Sequence, residues 1–548
     1  MALRRALVAR VRTPRMRTAW AVLAAVLALA LVGAAAGPRW NPEPLSASVS
    51  PASSSVAVLG STGSSEIGRY ETTSRLVQLE LVAPDADGEG GVSTEVLIVE
   101  PIGLEEPAPA VVFLHGAGTG LAEAFSEHAQ ALASAGIVAV SPSKRLDTYS
   151  TFQRDYVAMA DDYAVTLDLA RSLPGVDPAR VGLYAESEGA WVAPVLAADN
   201  PDVAFLALVS APVVTPRQQG AFAVDAYLRA VGVPQTFLRA IPRATGAHWP
   251  ADFLNYADFD VRPYLAETDV PIFMAYGTDD LSMPTVQGPQ IVLGSIPGGQ
   301  EQLMLRYYEG ANHGIRIGSA TDPVLPGFLD GLASWVLDPL AAEIEGPAVA
   351  GATPQQVHLA SAVPPPRWYA DGEMMLRVPL ISLAVLVVGY LALAGGIAAL
   401  ALARRRERSA VVVGLGESAT SDDPASLVAI DGDDVPGPRP HLVRGLLAFT
   451  AATAAVVLVL AAYIVAVAVL ALNYSTNGIV VWGGWVLLQG LAVLAAWLGV
   501  RAVRRLVGVR PGRDVAGIVR LAGGWLVVAG LLGLLTTSAY WGAFSPVS

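Results

Sequence analysis

Three stretches of this chain contain no charged side chain: residues 378–403, 445–500 and 521–548. A backbone in hydrocarbon must satisfy every N–H and C=O internally, so apolar runs of about 20 residues or more have one common outcome, the membrane-spanning helix. Residues 378–403 and 521–541 each read as one crossing. The middle run is long enough for two, at 445–472 and 478–500, with the polar Asn473–Gly478 as the turn between them. A further uncharged run, Thr18–Pro38, comes after six arginines (Arg4, Arg5, Arg10, Arg12, Arg15, Arg17) and no acid. Its apolar core is longer than that of most secretory signals, so 1–18 reads as a basic segment and 19–37 as an uncleaved anchor. Cleavage near Ala34-Ala35-Ala36 is the rival reading, and both readings export the chain beyond residue 38. The hydrophobic share of 53% agrees with a membrane class.

Arginine placement gives the orientation. Arg404, Arg405, Arg406 and Arg408 follow the second span, and Arg501, Arg504, Arg505, Arg510, Arg513 and Arg520 join the fourth to the fifth. By the positive-inside rule the loops 404–444 and 501–520 are cytoplasmic, together with the amino terminus. Segments 1–18, 404–444 and 501–520 hold 18 basic and 8 acidic residues, whereas 37–377 holds 17 basic and 40 acidic. An exported face so acidic argues against nucleic acid as a partner. The apolar runs contain no Asp, Glu, Lys, Arg or His, so ion or proton translocation has no side chain to carry it. The acidic stretch Glu417–Asp434 reads as a solvated linker.

Between the first and second spans the periodicity changes. Residues 38–69 are rich in Ser, Pro and Ala without a repeat and read as a flexible tether. Leu76–Val82 and Val92–Val99 flank Asp85-Ala86-Asp87-Gly88 as a hairpin would. Apolar runs at 110–114, 136–141, 180–185, 203–210, 271–276 and 303–308 alternate with helix-length pieces, the doubly wound α/β pattern, over a domain bounded at 70–340. Residues 211–269 form a longer insertion carrying Phe222, Tyr227, Phe237, Trp249, Phe253 and Tyr256. It reads as a lid, or as a helical excursion with its own aromatic core. Residues 341–377 read as a Pro-rich linker. Cysteine is absent, which excludes disulfides, thiolate catalysis and Cys-ligated zinc. Lys144, the one lysine, reads as compositional bias.

The chemistry concentrates at strand ends. Val181–Tyr184 runs into Ala185-Glu186-Ser187-Glu188-Gly189, where small residues flanking the serine allow a sharp strand-to-helix corner that exposes the hydroxyl. A serine there is a nucleophile or an N-cap. Acyl transfer needs a base, an acid to orient it and donors for the oxyanion. The strand 110–114 ends in His115-Gly116-Ala117-Gly118, 271–276 in Gly277-Thr278-Asp279-Asp280, and 303–308 in Glu309-Gly310-Ala311-Asn312-His313-Gly314. The order Ser, Asp, His results.

On these motifs, and on 132–145, 161–194 and 277–284, residues from about Arg75 to Leu340 resemble the α/β-hydrolase superfamily, nearest to its bacterial esterase and acyl-peptidase-like branch. The resemblance implies a triad of Ser187, Asp280 and His313. Asp280 is preferred to Asp279 because Gly277-x-x-Asp followed by Pro284 matches the family spacing; Asp279 would then cap the next helix. His115 would be structural, and His248 is a weaker rival for the base. The oxyanion donors would be the backbone N–H groups of Ala117 and Glu188. The chain departs from the family in having Ala185 and Glu186 before the nucleophile, and flanking carboxylates raise the pKa of the base and disfavour anionic substrates. The implied activity is a membrane-anchored, extracytoplasmic serine hydrolase acting on an ester, thioester or amide of a small-molecule or lipid substrate, with no cofactor and no metal. An envelope acyltransferase using the same triad and a non-catalytic scaffold are the alternatives.

Overall fold

The computed structural model describes residues 14–46, 48–58, 66–81, 91–118, 120–250, 253–339, 348–418, 440–473, 475–509 and 515–545. The Asp85–Gly88 turn, the basic residues before 14 and the acidic stretch from 419 onward lie outside them. The chain divides into two compact units. One comprises Asn41–Tyr227 and Trp249–Val363; the other comprises Met1–Trp40, Leu228–His248 and Pro364–Ser548.

In chain order, helix α1 (Pro14–Ala36) precedes strands β1 (Thr72–Leu81), β2 (Val92–Pro101) and β3 (Ala108–Leu114). Then come α2 (Ser126–Ser134), β4 (Val138–Pro142), α3 (Tyr156–Ser172), β5 (Val176–Glu186), α4 (Gly189–Asp199) and β6 (Leu206–Val209). The insertion contributes α5 (Pro216–Val231), α6 (Ala240–Thr245) and α7 (Arg262–Glu267). It is followed by β7 (Ile272–Gly277), α8 (Gln287–Ser295), β8 (Leu303–Tyr308), α9 (Pro326–Leu337) and β9 (Val349–Gly351). The chain ends with α10 (Gly372–Ser418), α11 (Pro440–Leu472), α12 (Gly484–Val507) and α13 (Val515–Tyr540).

The strands form one sheet in the order β1-β2-β4-β3-β5-β6-β7-β8-β9. The pairs β1–β2 and β2–β4 are antiparallel, and the pairs from β4–β3 to β8–β9 are parallel. Period-two alternation sends successive residues to opposite faces. Val112, Leu183, Leu208 and Met274 pack with Leu167 of α3 and Trp191 of α4 on one face. Phe113, Tyr184, Ala207 and Phe273 pack with Leu132 of α2 and Phe328 and Trp335 of α9 on the other. Covering both faces is what permits all seven residues of β3 to be buried. The architecture is a mostly parallel nine-stranded sheet covered by helices on both faces, with strands where the apolar runs predict them.

Two expectations need correction. The stretch taken as a flexible tether lies along the chain at 349–359: Leu45 N–H bonds the Val357 carbonyl at 3.0 Å, Ala52 N–H that of Val349 at 3.0 Å, and Gly351 N–H that of Ser53 at 2.8 Å. Val58 is buried, and Val49 and Val56 pack against the core. Three valines and an open strand edge fix a segment whose composition shows no period. Correspondingly, the linker reading of 341–377 misses β9, which extends the sheet beside β8.

Among its described residues the second unit holds five helices long and apolar enough to cross a membrane, at Arg15–Ala36, Gly372–Arg406, His441–Leu472, Ile479–Val507 and Val515–Tyr540. Each outlasts or shifts from its uncharged run because arginine is a good helix former and does not end a helix. Helices α10 and α13 approach backbone to backbone: a Cβ on Gly389 would lie 2.6 Å from Val527 N, and one on Gly523 2.6 Å from Leu393 N. A π-helical turn at Ile479–Gly483 leads into α12, and Tyr463 Oη donates to the Val481 carbonyl there at 3.1 Å.

The insertion read as a lid is split between the units. Phe253 stacks on Phe152 at 4.3 Å and Tyr256 meets Tyr156 edge-on at 5.9 Å within the sheet unit. Residues 228–248 belong to the helical unit. There Phe237 meets Tyr463 at 5.3 Å and Trp485 at 5.9 Å, and Arg243 lies 4.7 Å over the Tyr540 ring while Nη2 donates to the Gly33 carbonyl at 2.8 Å.

At the end of β7 a Cβ on Gly277 would lie 2.1 Å from the Ala311 carbonyl oxygen, a backbone contact that cannot yield cheaply. Gly277→Ala should therefore cost about 1–3 kcal/mol and lower Tm measurably. A melting curve unchanged from wild type would show that the 277–280 and 311–313 turns are not packed this way.

Candidate active site

Strands β3, β5, β7 and β8 run parallel, so the turns after Leu114, Glu186, Gly277 and Tyr308 share one edge of the sheet. Ser187 stands at the corner after β5 with φ of +55°, a left-handed conformation that a non-glycine residue adopts only under constraint. Its N–H bonds the Val209 carbonyl at 2.9 Å, and Gly116 approaches so closely that a Cβ there would lie 3.2 Å from the serine Cβ.

Acid and base are joined. His313 Nδ1 lies 2.8 Å from Asp280 Oδ2, and the Asp280 side chain is fully buried. Ser282 completes the clamp, its N–H at 2.9 Å and its hydroxyl at 2.6 Å from Asp280 Oδ1, with the hydroxyl 3.2 Å from His313 Nδ1. Ser210 Oγ donates to the His313 carbonyl at 2.7 Å. Sequence reasoning misses both serines, since Ser282 lies within 277–284 with no role assigned to it and Ser210 stands in no motif. Among the described residues the Ser187 hydroxyl has no hydrogen-bond partner, so the Ser187–His313 bond of a closed triad is not made here; such bonds are commonly long without substrate. Asp279 is exposed and caps nothing: helix α8 is capped instead by Gln356 Oε1, which accepts from Val286 N–H at 2.8 Å and Gln287 N–H at 3.1 Å. His248, the rival base, lies in the helical unit, where its backbone N–H donates to Asp371 Oδ1 at 2.7 Å.

The two carboxylates flanking Ser187 differ. Glu188 is 1% exposed and meets Lys144 Nζ at 2.8 Å, Tyr149 Oη at 2.9 Å and the Arg154 guanidinium. Lys144, read from composition as bias, is thus a buried partner of the residue after the serine, and it also donates to the Gly116 carbonyl. Burial lowers the Lys144 pKa against the opposing pull of Glu188. Tyr149 Oη accepts the Gly118 N–H at 2.9 Å. This network braces the 116–118 corner. Gly118 N–H is engaged, whereas the N–H groups of Ala117 and Glu188 donate to nothing among the described residues.

Among the described residues, the Glu186 carboxylate accepts a hydrogen bond from the Tyr184 hydroxyl alone, at 3.4 Å. Burial raises its pKa against the pull of His313 and Arg316. At His313, burial disfavours the charged ring, but the Asp280 carboxylate outweighs it and Glu186 adds to the effect, raising the pKa to about 9. Asp280 is held below the usual range because the charge and hydrogen bonds of His313 and Ser282 overcome its burial. His115 is buried with Nε2 2.6 Å from the Pro142 carbonyl; burial brings its pKa down to about 4, leaving it neutral and structural.

No protein-family model matches this sequence, and no curated protein matches it. Solved structures do. The 2,6-dihydroxy-pseudo-oxynicotine hydrolase is similar at 19% identity over 51% of this chain and 71% of its own, with a TM-score of 0.34. Dienelactone hydrolase from Anabaena variabilis is similar at 17% over 48% and 94%, with 0.31, and Est1E from Butyrivibrio proteoclasticus at 14% over 43% and 90%, with 0.30.

Glu186→Gln removes a negative charge that stabilises the His313 imidazolium, so the His313 pKa should fall below about 9. An NMR titration of the labelled ring in the full chain reads this directly. An unmoved or raised pKa would remove Glu186 from the electrostatics of the base.

Proposed function

We propose that this chain is a membrane-anchored serine hydrolase working outside the cytoplasm on a carboxylic ester. The observation that carries the reading is the Asp280–His313 pair, 2.8 Å apart, on the sheet edge where the strained Ser187 corner stands beside two unengaged N–H groups. Ser187 Oγ attacks the acyl carbon as His313 Nε2 takes its proton, with Nδ1–H donated to Asp280. The N–H groups of Ala117 and Glu188 receive the oxyanion. The leaving alcohol departs with the proton from His313, and a water deprotonated by the same ring then splits the acyl-enzyme. Since the free ring holds its proton up to about pH 9, kcat/KM rises toward alkaline pH.

Ser187→Ala and His313→Ala should each lose on the order of 10⁴-fold or more in turnover while the protein stays folded, because the triad acts as a unit. Asp280→Asn should be far more damaging than Asp279→Asn. Labelling with a fluorophosphonate probe and turnover of esters of graded chain length read these outcomes. Probe reaction persisting in Ser187→Ala, or full turnover in His313→Ala, would leave a hydrolase fold without this chemistry.

For the membrane arrangement we infer five crossings with α1 retained as an anchor. The support is the five apolar helices and the arginines at Arg404–Arg406 and Arg501–Arg505. A single cysteine introduced at Ser55 should react with an impermeant maleimide in intact cells, and one at Ser421 should not. Labelling of the latter in sealed cells would reverse the orientation.

A further inference from the structure

Within the helical unit an open groove of about 990 Å³ runs between α1 and α12. Its walls are Val22, Leu23 and Val26 from one helix and Val493 and Leu494 from the other, and Arg15 and Arg501 stand at one end. Arg504 joins the same end through its bond to the Thr18 hydroxyl. The Arg501 guanidinium lies 4.5 Å over the Trp497 ring, the pairing of indole and cation typical of a membrane interface. No Asp or Glu stands in the described parts 14–36, 440–473, 475–509 or 515–545, so none on these four helices offsets the charge at this end.

Length matters as well as charge. From Arg15 to Val26 the groove follows α1 for about 16 Å at 1.5 Å per residue. That is close to the depth of one leaflet, about half of a 30 Å hydrocarbon core. A free phosphate would satisfy the arginines but leave the apolar walls bare. A neutral lipid would cover the walls and leave two guanidinium groups without a counter-charge from α1 or α12. An amphiphile with a negative head and a long chain answers both.

We propose that this groove binds one anionic phospholipid, with its phosphate between Arg15 and Arg501 and one acyl chain along Val22, Leu23, Val26, Val493 and Leu494. The proposal rests on the membrane reading above. The bound lipid joins α1 to α12 by contacts with both, and so helps retain the amino-terminal helix in the bundle. Basic pockets between helices on the cytoplasmic side are suited to such headgroups.

The test uses the full chain purified in mild detergent, offered equal amounts of phosphatidylglycerol and phosphatidylcholine, with retained lipid counted by native mass spectrometry. Wild type should prefer phosphatidylglycerol. Arg15→Gln/Arg501→Gln should lower that preference by on the order of twentyfold, and Arg15→Lys/Arg501→Lys should keep most of it. Leu494→Trp, which fills the groove and leaves the arginines in place, should lower retention of phosphatidylglycerol itself. Excess glycerol phosphate should not displace the lipid. Equal retention of both lipids by wild type, an undiminished preference in the glutamine variant, or displacement by glycerol phosphate would overturn the lipid site. A carbonate wash of membranes separates the two readings: wild type released to the supernatant overturns the membrane reading and the lipid site together, whereas retention without lipid preference overturns the lipid site alone.

Discussion

A carboxylate withdrawn from water must find counter-charges, and in this fold that requirement falls on Glu188, the residue after the candidate nucleophile. Its partners Lys144, Tyr149 and Arg154 all come from the segment after β4, and Lys144 and Tyr149 also hold the Gly116 carbonyl and the Gly118 N–H in the segment after β3. Three loops are thereby fixed to one another. Breaking a buried pair by removing one partner typically costs about 3–5 kcal/mol, more than most single contacts contribute. The geometry of the corner that carries the two unengaged N–H groups thus depends on an ion pair that stands apart from Ser187, Asp280 and His313.

The same corner shows how environment divides identical side chains. Glu188 is neutralised by cations and serves as a brace. Glu186, two residues earlier, has a tyrosine hydroxyl as the sole hydrogen-bond partner of its carboxylate among the described residues, so its charge is felt at His313 and reinforces Asp280 in favouring the imidazolium. The sharp corner at Ser187 separates them, since Glu186 closes β5 while Glu188 stands at the start of α4.

Much of this was legible in the sequence. The strands follow from apolar runs that need cover on both faces and the helices from long uncharged runs, while the Asp280–His313 pair follows from the family resemblance, which singles out Asp280 over its neighbour Asp279 at a strand end. The hidden features depend on partners distant in sequence. Lys144 was invisible because a lone lysine has no pattern, and its role exists only once Glu188 is buried. Gln356 capping α8 and the pairing of 45–53 with 349–357 join residues tens to hundreds of positions apart. The three residues of β9 are too few to show a period. Asp279 does not cap α8 for a related reason: capping is a local rule, and the distant side chain of Gln356 meets the need.

The seating of residues 228–248 bears on how the protein can be taken apart. Phe237 and Arg243 find their partners at Tyr463, Trp485, Gly33 and Tyr540, although the chain reaches them from an insertion between β6 and β7. Cutting at the obvious seams, before residue 41 and after 363, would therefore not release a self-contained sheet unit. The excised piece would carry an aromatic and a guanidinium stripped of their surroundings, a ready nucleus for self-association. During synthesis, too, this stretch emerges before α11 to α13, the helices that carry Tyr463, Trp485 and Tyr540, have been made.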